Sequence, residues 1–173
     1  SQFREKRLLS RGSGAVTGLR YRGGGTDVTL ALDPDRGWMV RRPIVRPADE
    51  RRVSSFISRL RGVRGHDFFP EVKREHGFDT PEVTVEITYE ESDTPAIVKI
   101  GSQTSDGERH YAQQDSGTVT TLQLIEVNPL RLRLEDFLSR QLYATRSADI
   151  TAIAITLDGA AYRFEQGTRA WRV

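Results

Sequence analysis

Two segments near the ends of the chain share one pattern of strands and turns, and this repetition constrains the fold most strongly. Residues 15–40 align with residues 149–173 with a one-residue difference in length. The alignment pairs apolar or aromatic positions: Val16 with Ile150, Leu19 with Ile153, Trp38 with Trp171, and Val40 with Val173. Each copy contains two alternating strands, two turns and a short strand with tryptophan. This pattern predicts a three-stranded antiparallel meander in each copy.

The glycines of the first copy indicate a hairpin turn. Gly23, Gly24 and Gly25 can adopt positive φ without a steric penalty, as hairpin turns require, and Asp158-Gly159 takes the equivalent place in the second copy. The alternative is a phosphate-binding loop, which needs a helix directly after it. A second alternating strand follows instead, so the sequence favours the hairpin.

The middle of the chain predicts a helix, a second meander and a less certain second helix. An apolar face with helical spacing is formed by Val53, Phe56, Ile57 and Leu60. Four more strands are predicted at Glu82–Tyr89, Ala96–Ile100, Arg109–Gln113 and Gly117–Leu122. Asn128-Pro129 is a good helix start, and an apolar face follows at Leu130, Leu134, Phe137 and Leu138, with a break near Leu132 left open.

These elements predict an α+β protein made of repeated antiparallel β-meanders, each followed by a helix that packs on the sheet. Residues 1–13 are interpreted as an N-terminal extension, a linker from a removed membrane anchor. Residues 14–66 form the first meander-plus-helix unit and residues 67–146 the second. Residues 147–173 form a partial third meander that repeats residues 15–40 and is either truncated or closes the fold.

Composition and motifs argue against most kinds of chemistry. The 173 residues include no cysteine, which excludes disulfide scaffolds and thiolate metal sites. The histidines, His66, His76 and His110, lack metal-ligand spacing, and Glu90, Glu91 and Asp93 lack the pattern of a calcium loop. No nucleophile motif is present. We therefore predict no catalytic, cofactor-binding or metal-ligating residue and no cofactor, and enzymatic activity is not favoured.

Two single residues have structural interpretations that the fold can test. Trp38 is predicted to pack in the core rather than to form an exposed binding platform, because large aromatic side chains dominate burial energetics. Trp171, at the matching repeat position, is given the same role. His76 could pair with Glu75 or Glu71, but its place at the C-terminal end of a short helical turn, which the helix dipole favours for histidine, explains it as well.

Charge is distributed unevenly along the chain. Residues 1–64 hold 15 basic and 6 acidic side chains, a balance of +9, whereas residues 65–126 hold 4 and 13, a balance of −9. Either the two segments lie side by side and neutralise each other, or the first presents a basic surface. The best candidate for an interaction surface is the run Arg41, Arg42, Arg46, Arg51 and Arg52. The alternative is a solvated face whose arginine stems cover apolar surface.

Several motifs resemble domain of unknown function 4340. They are Trp38-Met39-Val40-Arg41-Arg42-Pro43, Pro47-Ala48-Asp49, His76-Gly77-Phe78-Asp79-Thr80-Pro81, Val98-Lys99-Ile100-Gly101, Tyr111, Ser139-Arg140-Gln141-Leu142 and Ala148-Asp149-Ile150-Thr151-Ala152-Ile153. The resemblance implies a repeated domain outside the cytoplasm, carried by an N-terminal membrane-anchor helix. It also implies an accessory role beside gliding-motility-type ABC exporters. It implies no catalytic or ligand-binding residues.

The leading functional hypothesis is therefore a non-enzymatic interaction or scaffold module of a membrane-anchored envelope protein, an accessory to an ABC-type export or surface machinery. Its partners are expected to be proteins at the cell envelope, and membrane contact is expected only through an anchor. One alternative is an anion- or nucleic-acid-binding domain that uses the basic N-terminal third. Nucleic acid is disfavoured because aromatic residues do not interleave with the arginines. A further alternative is an envelope small-ligand binder or enzyme with a pocket between the repeats.

Overall fold

The computed structural model describes residues 7–9, 14–140, 150–167 and 171–172, without the side chains of Asp93, Trp171 and Arg172. The chain divides into two compact units, residues 1–139 and residues 140–173. Most of the predicted extension over residues 1–13 and the segment 141–149 lie outside the description. Leu8 and Leu9 are described, and both are buried in the core of the larger unit.

The larger unit is built on one antiparallel sheet of nine strands in the order β4-β3-β2-β1-β6-β7-β8-β9-β5. The strands are β1 (Val16–Gly23), β2 (Thr26–Asp33), β3 (Gly37–Arg42), β4 (Arg46–Pro47), β5 (Phe68–Phe69), β6 (Val83–Tyr89), β7 (Ser92–Gln103), β8 (Arg109–Gln114) and β9 (Val119–Gln123). The sheet joins two meanders through their first strands, since Leu19 of β1 lies opposite Ile87 of β6. The first meander and the four strands of the second are thus confirmed.

The predicted helix is confirmed as α1 (Glu50–Gly62). Asp49 is its N-cap, and its carboxylate accepts a hydrogen bond of 3.1 Å from the backbone N–H of Arg52. The four apolar residues of the predicted face are buried. A short 3₁₀ turn at Arg74–His76 then ends at Gly77, whose φ of 73° is left-handed.

The single helix predicted after the second meander is replaced by three short segments: α2 (Leu124–Val127), a 3₁₀ turn (Asn128–Leu130) and α3 (Leu134–Phe137). The break left open near Leu132 is present. Arg131 and Arg133 have extended backbones, and the N–H of Leu132 donates to the Tyr21 hydroxyl at 2.9 Å instead of to a helical carbonyl. The α+β class is confirmed as a mainly antiparallel sheet with a few short helices, but a regular meander-plus-helix repeat is not.

One apolar core lies between the sheet and α1. Three aromatic rings meet at its centre: Tyr21 of β1, Phe56 of α1 and Phe137 of α3, with ring centroids 5.7–6.1 Å apart. Trp38 belongs to the same core and is only 8% exposed, which confirms its predicted packing role. The side chain of Trp171 lies outside the described residues, so its predicted role stays a prediction.

The smaller unit contains a three-stranded antiparallel sheet in the order β10-β11-β12. Its strands are β10 (Ala152–Leu157), β11 (Ala160–Gln166) and β12 (Trp171–Arg172). The predicted third meander is thus present as strands. Within the described parts of the chain, no helix combines the length and apolar character that crossing a bilayer needs.

Candidate interaction surface

The five arginines predicted as an interaction surface are all exposed, but they lie on two different elements. Arg41, Arg42 and Arg46 belong to strands β3 and β4 at one edge of the sheet. Arg41 pairs with Asp33 of the neighbouring strand at 2.7 Å. Arg51 and Arg52 belong to the first turns of α1 and face a groove. The structure therefore separates the predicted surface into an edge part and a helix part.

The groove beside the helix, called here the α1 groove, has a volume of about 440 Å³. One wall is the polar face of α1, where Arg51, Ser55 and Arg59 follow one another at intervals of four residues. Side chains four residues apart lie on one helix face. The three therefore form a continuous polar stripe with a cation at each end.

The opposite wall comes from residues 129–137, and the aromatic core forms part of the lining. Pro129, Leu132 and Asp136 line that wall, and Phe56 and Phe137 contribute apolar surface. Because both rings are at least 96% buried, they present only a small part of their surface to the groove. The α1 groove therefore combines an apolar lining with a cationic wall.

Backbone hydrogen bonds hold the second wall in place. The N–H of Asp49 donates to the carbonyl of Phe137 at 2.9 Å, and the N–H of Ser139 donates to the carbonyl of Pro47 at 3.1 Å. Ala48 and Leu138 form a β-bridge between these two bonds. The segment that follows the second meander is thereby fastened to the residues that start α1, so the groove is a defined part of the fold.

The two carboxylates of the groove already have partners within the fold. Asp49 caps α1, and Asp136 accepts a hydrogen bond of 2.9 Å from the N–H of Arg133 and lies 3.4 Å from the Arg52 guanidinium. Neither Arg51 nor Arg59 forms an ion pair with any other described residue. An exposed ion pair such as Arg52–Asp136 contributes only about 0–1 kcal/mol. Among the described residues, two arginines of the groove thus have no ion-pair partner, and a third can change partner at small cost.

Among the described residues, the +9 and −9 segments lie side by side where β1 pairs with β6. There Arg22 binds Glu86 at 2.6 Å, across the boundary between the segments. Two other arginines of the basic segment, Arg20 and Arg41, instead pair with aspartates of that same segment. Neutralisation between the segments therefore occurs at the β1–β6 boundary, and the ion pairs among described residues do not extend it to the α1 groove.

A second cavity of about 510 Å³ lies at the junction of the two meanders, beside the β1–β2 turn. It is lined in part by Arg22, Asp79, Glu82 and Lys99. The carboxylate of Glu82 binds the guanidinium of Arg131 and raises the pKa of that group. The small-ligand alternative requires a cavity between the repeats, and this cavity lies at such a place. However, Glu82, one of the two carboxylates that line it, is already paired with Arg131. No set of three or more metal-ligating side chains that could hold a metal ion occurs among described residues.

His76 lies at the end of the 3₁₀ turn, as its position in the sequence indicated, and it is also buried. It is 1% exposed, and its Nδ1 accepts a hydrogen bond of 3.1 Å from the N–H of Lys73. Its ring lies 4.4 Å from the ring of Tyr111, between centroids. Burial lowers the pKa of His76 because a low-dielectric site disfavours the imidazolium. His76 is therefore a buried core residue at the end of the 3₁₀ turn.

This environment makes stability depend on pH. Because His76 binds a proton less readily when folded than when unfolded, its neutral form stabilises the fold above the ordinary pKa of 6.5, and this contribution is lost as the pH falls below that value. His76→Asn keeps an acceptor for the Lys73 N–H but does not titrate. We expect the wild type to be more stable at pH 7.5 and the difference in melting temperature to narrow by pH 5. A difference independent of pH would contradict the lowered pKa.

Sequence reasoning found two members of the groove, Arg51 and Arg52, but missed Arg59 and Asp136. The four-residue spacing from Arg51 to Arg59 was a usable signal. No comparable sequence signal identified Asp136, because its place in the groove depends on the long-range hydrogen bond between Asp49 and Phe137.

Comparison with known families agrees with the motifs of the sequence. Residues 38–172 match the model for the domain of unknown function 4340. The match covers more than half of the 173 residues, so the chain belongs to this family. It begins in β3 and ends in β12 and therefore includes the α1 groove. No curated protein and no solved structure matches the chain.

Proposed function

We propose that the chain is a non-enzymatic interaction module that binds an acidic segment of a protein partner in the α1 groove. The observation that carries this proposal is the stripe of Arg51, Ser55 and Arg59 beside an apolar lining. Protein interfaces typically combine a desolvated apolar centre with a polar rim that provides specificity. A segment with carboxylates around one apolar side chain fits both features of the groove.

We also propose the cellular setting that the family resemblance implies. The module is placed on the extracytoplasmic side of a membrane-anchored envelope protein, as an accessory to an ABC-type export or surface machinery. Membership of the family supports this setting, and the exposed arginines of β3, β4 and α1 supply a surface for such a partner. We also propose that the architecture consists of repeated meander-plus-helix units. The pairing of the two meanders through their first strands, β1 and β6, supports this.

The second candidate is anion or nucleic-acid binding, favoured by the exposed Arg42, Arg46, Arg51 and Arg59. Binding of that kind is mainly electrostatic, and its affinity falls steeply with salt. Proteins that bind single-stranded nucleic acids also present aromatic ring faces on which the bases stack. The aromatic residues of the α1 groove, Phe56 and Phe137, are 4% and 1% exposed, so they offer no such faces. The geometry therefore favours a protein segment.

Charge reversal in the groove tests the proposed function. The probe is a short glutamate-rich peptide with one central leucine, titrated at low salt and followed by fluorescence anisotropy. We expect Arg51→Glu combined with Arg59→Glu to weaken binding about tenfold or more, because the cationic wall becomes repulsive.

The matched control reverses the same number of charges elsewhere. Arg36 and Arg64 are exposed and lie outside the groove, and Arg36→Glu with Arg64→Glu changes the net charge equally. This control should bind within about twofold of the wild type. Equal losses in both double variants would show that net charge alone governs binding. Tighter binding of single-stranded DNA than of the peptide would favour the second candidate.

A further inference from the structure

The third meander repeats the first in its strand pairing as well as in its sequence. In the β1–β2 hairpin Leu19 lies opposite Leu30, and in the β10–β11 hairpin Ile153 lies opposite Phe164. Adding 134 to each number of the first pair gives the second. The same shift relates the turns: Gly24 and Gly25 have φ of 56° and 79°, and Asp158 and Gly159 have φ of 49° and 82°.

The third strands agree as well. Leu32 of β2 lies opposite Trp38 of β3, and Gln166 of β11 lies opposite Trp171 of β12. The shift is 134 for the first member of each pair and 133 for the second, because the second turn is one residue shorter. Register is therefore conserved between the two meanders over all three strands.

The equivalent positions differ sharply in burial. Leu19, Tyr21 and Val28 of the first meander are at most 2% exposed. Their counterparts in the third meander, shifted by 134, are Ile153, Ile155 and Tyr162, which are 41%, 46% and 46% exposed. An alternating apolar face that forms a core in one copy is thus left open in the other.

Two features cover the first meander. The rings of Phe56 in α1 and Phe137 in α3 lie 6.1 Å and 5.7 Å from the ring of Tyr21, over its apolar face. Strand β6 pairs with the free side of β1. Both come from residues that follow the meander in the chain, 43–139.

The edge of β10 lacks two features that often protect a free strand. Its residues, Ala152–Leu157, include no charge and no proline, which are common means of preventing unwanted pairing. Because β12 contributes only two residues, β10 and β11 come close to an isolated two-stranded hairpin, which is marginally stable in water. Both facts indicate that the free edge of β10 pairs with another strand in the folded protein.

We propose that β10–β12 are the opening meander of a second domain of the same fold. In this domain a helix covers the apolar face formed by Ile153, Ile155 and Tyr162, and a β6-type strand pairs with β10. Both are supplied by the same polypeptide, as in the first domain, since covalent linkage gives the high effective concentration that such weak contacts need. The chain would then carry its interaction fold in tandem.

The chain itself provides the probe. Val173 aligns with Val40, so a hybrid in which residues 41–139 are repeated directly after Val173 presents the third meander with the same kind of covering segment. We expect amide hydrogen exchange in β10 and β11 to be about tenfold slower or more in this hybrid than in residues 1–173 alone. The control hybrid carries Val85→Pro in the repeated segment only, which removes a backbone donor from the pairing strand.

Three results would overturn the proposal. One is unchanged exchange in the hybrid, and another is equal protection in both hybrids. The third is protection in residues 1–173 that rises with protein concentration, which would assign the cover to a second copy. The second readout is the same exchange measurement on the intact natural polypeptide. Exchange in β10 as fast there as in residues 1–173 alone would also overturn the proposal.

Discussion

Replacing Phe137 with alanine is expected to lower the free energy of unfolding by about 3–5 kcal/mol, the range for removing a buried aromatic side chain. Phe137 is 1% exposed, and its ring contacts Tyr21 and Phe56 at the centre of the core. Its carbonyl also accepts the hydrogen bond from Asp49 that fastens the second wall of the α1 groove. The substitution thus removes packing where the sheet, α1 and α3 meet.

The measurement is urea denaturation followed by circular dichroism. Ile125→Ala is the matched control, because Ile125 lies in the neighbouring α2 and is 76% exposed. Its loss should change the free energy of unfolding by about 0.5 kcal/mol or less. Similar losses in the two variants would contradict the placement of Phe137 at the centre of the core.

The second large effect is expected from Gly101→Ala in β7. A Cβ at this position would overlap the carbonyl oxygen of His76, and the ring of Phe78 lies 3.1 Å from it. Because the first obstacle is backbone, it cannot move aside as a flexible side chain can. We expect a loss of about 3 kcal/mol, at the upper end of the usual range for overpacking.

Gly62→Ala is the control for this effect. Gly62 is the last residue of α1, and a Cβ there would have no atom within 4 Å beyond its chain neighbours and the adjacent helix backbone. Alanine also has the higher helix propensity, so this change should be neutral or slightly stabilising. The measurement is the melting temperature of both variants in thermal unfolding. Equal melting temperatures for Gly101→Ala and Gly62→Ala would contradict the close approach of the 3₁₀ turn to β7.

Local patterns predicted the first half of the fold well. The helix followed from the spacing of Val53, Phe56, Ile57 and Leu60, and the hairpins followed from their glycines, because both signals act within a few residues. The second helix was predicted from the same kind of spacing and did not form as one element. Its backbone is diverted at Leu132 by the hydroxyl of Tyr21, 111 residues earlier in the chain. A pattern of neighbours carries no information about such a partner.

The candidate site divides in the same way. Arg51 and Arg52 were accessible to sequence reasoning because charge accumulates locally in residues 1–64. The groove in which these two arginines lie depends on the β-bridge between Ala48 and Leu138, which holds its opposite wall in place. The burial of His76 was not predicted for a related reason: part of it comes from Tyr111, 35 residues later in the chain.

Site-specific photo-cross-linking tests the proposed docking surface most directly. A photoreactive residue in place of Ser55 lies in the α1 groove between Arg51 and Arg59, and one in place of the exposed Ser105 lies in the turn before β8. Both proteins are produced as the intact natural polypeptide and irradiated in the cells that naturally make it. The expected result is one protein adduct at position 55, joined through an acidic segment of an envelope export or surface component, and lost when Arg51 and Arg59 are both replaced by glutamate. Equal labelling at positions 55 and 105, or an adduct that persists after the charge reversal, would contradict binding in the α1 groove.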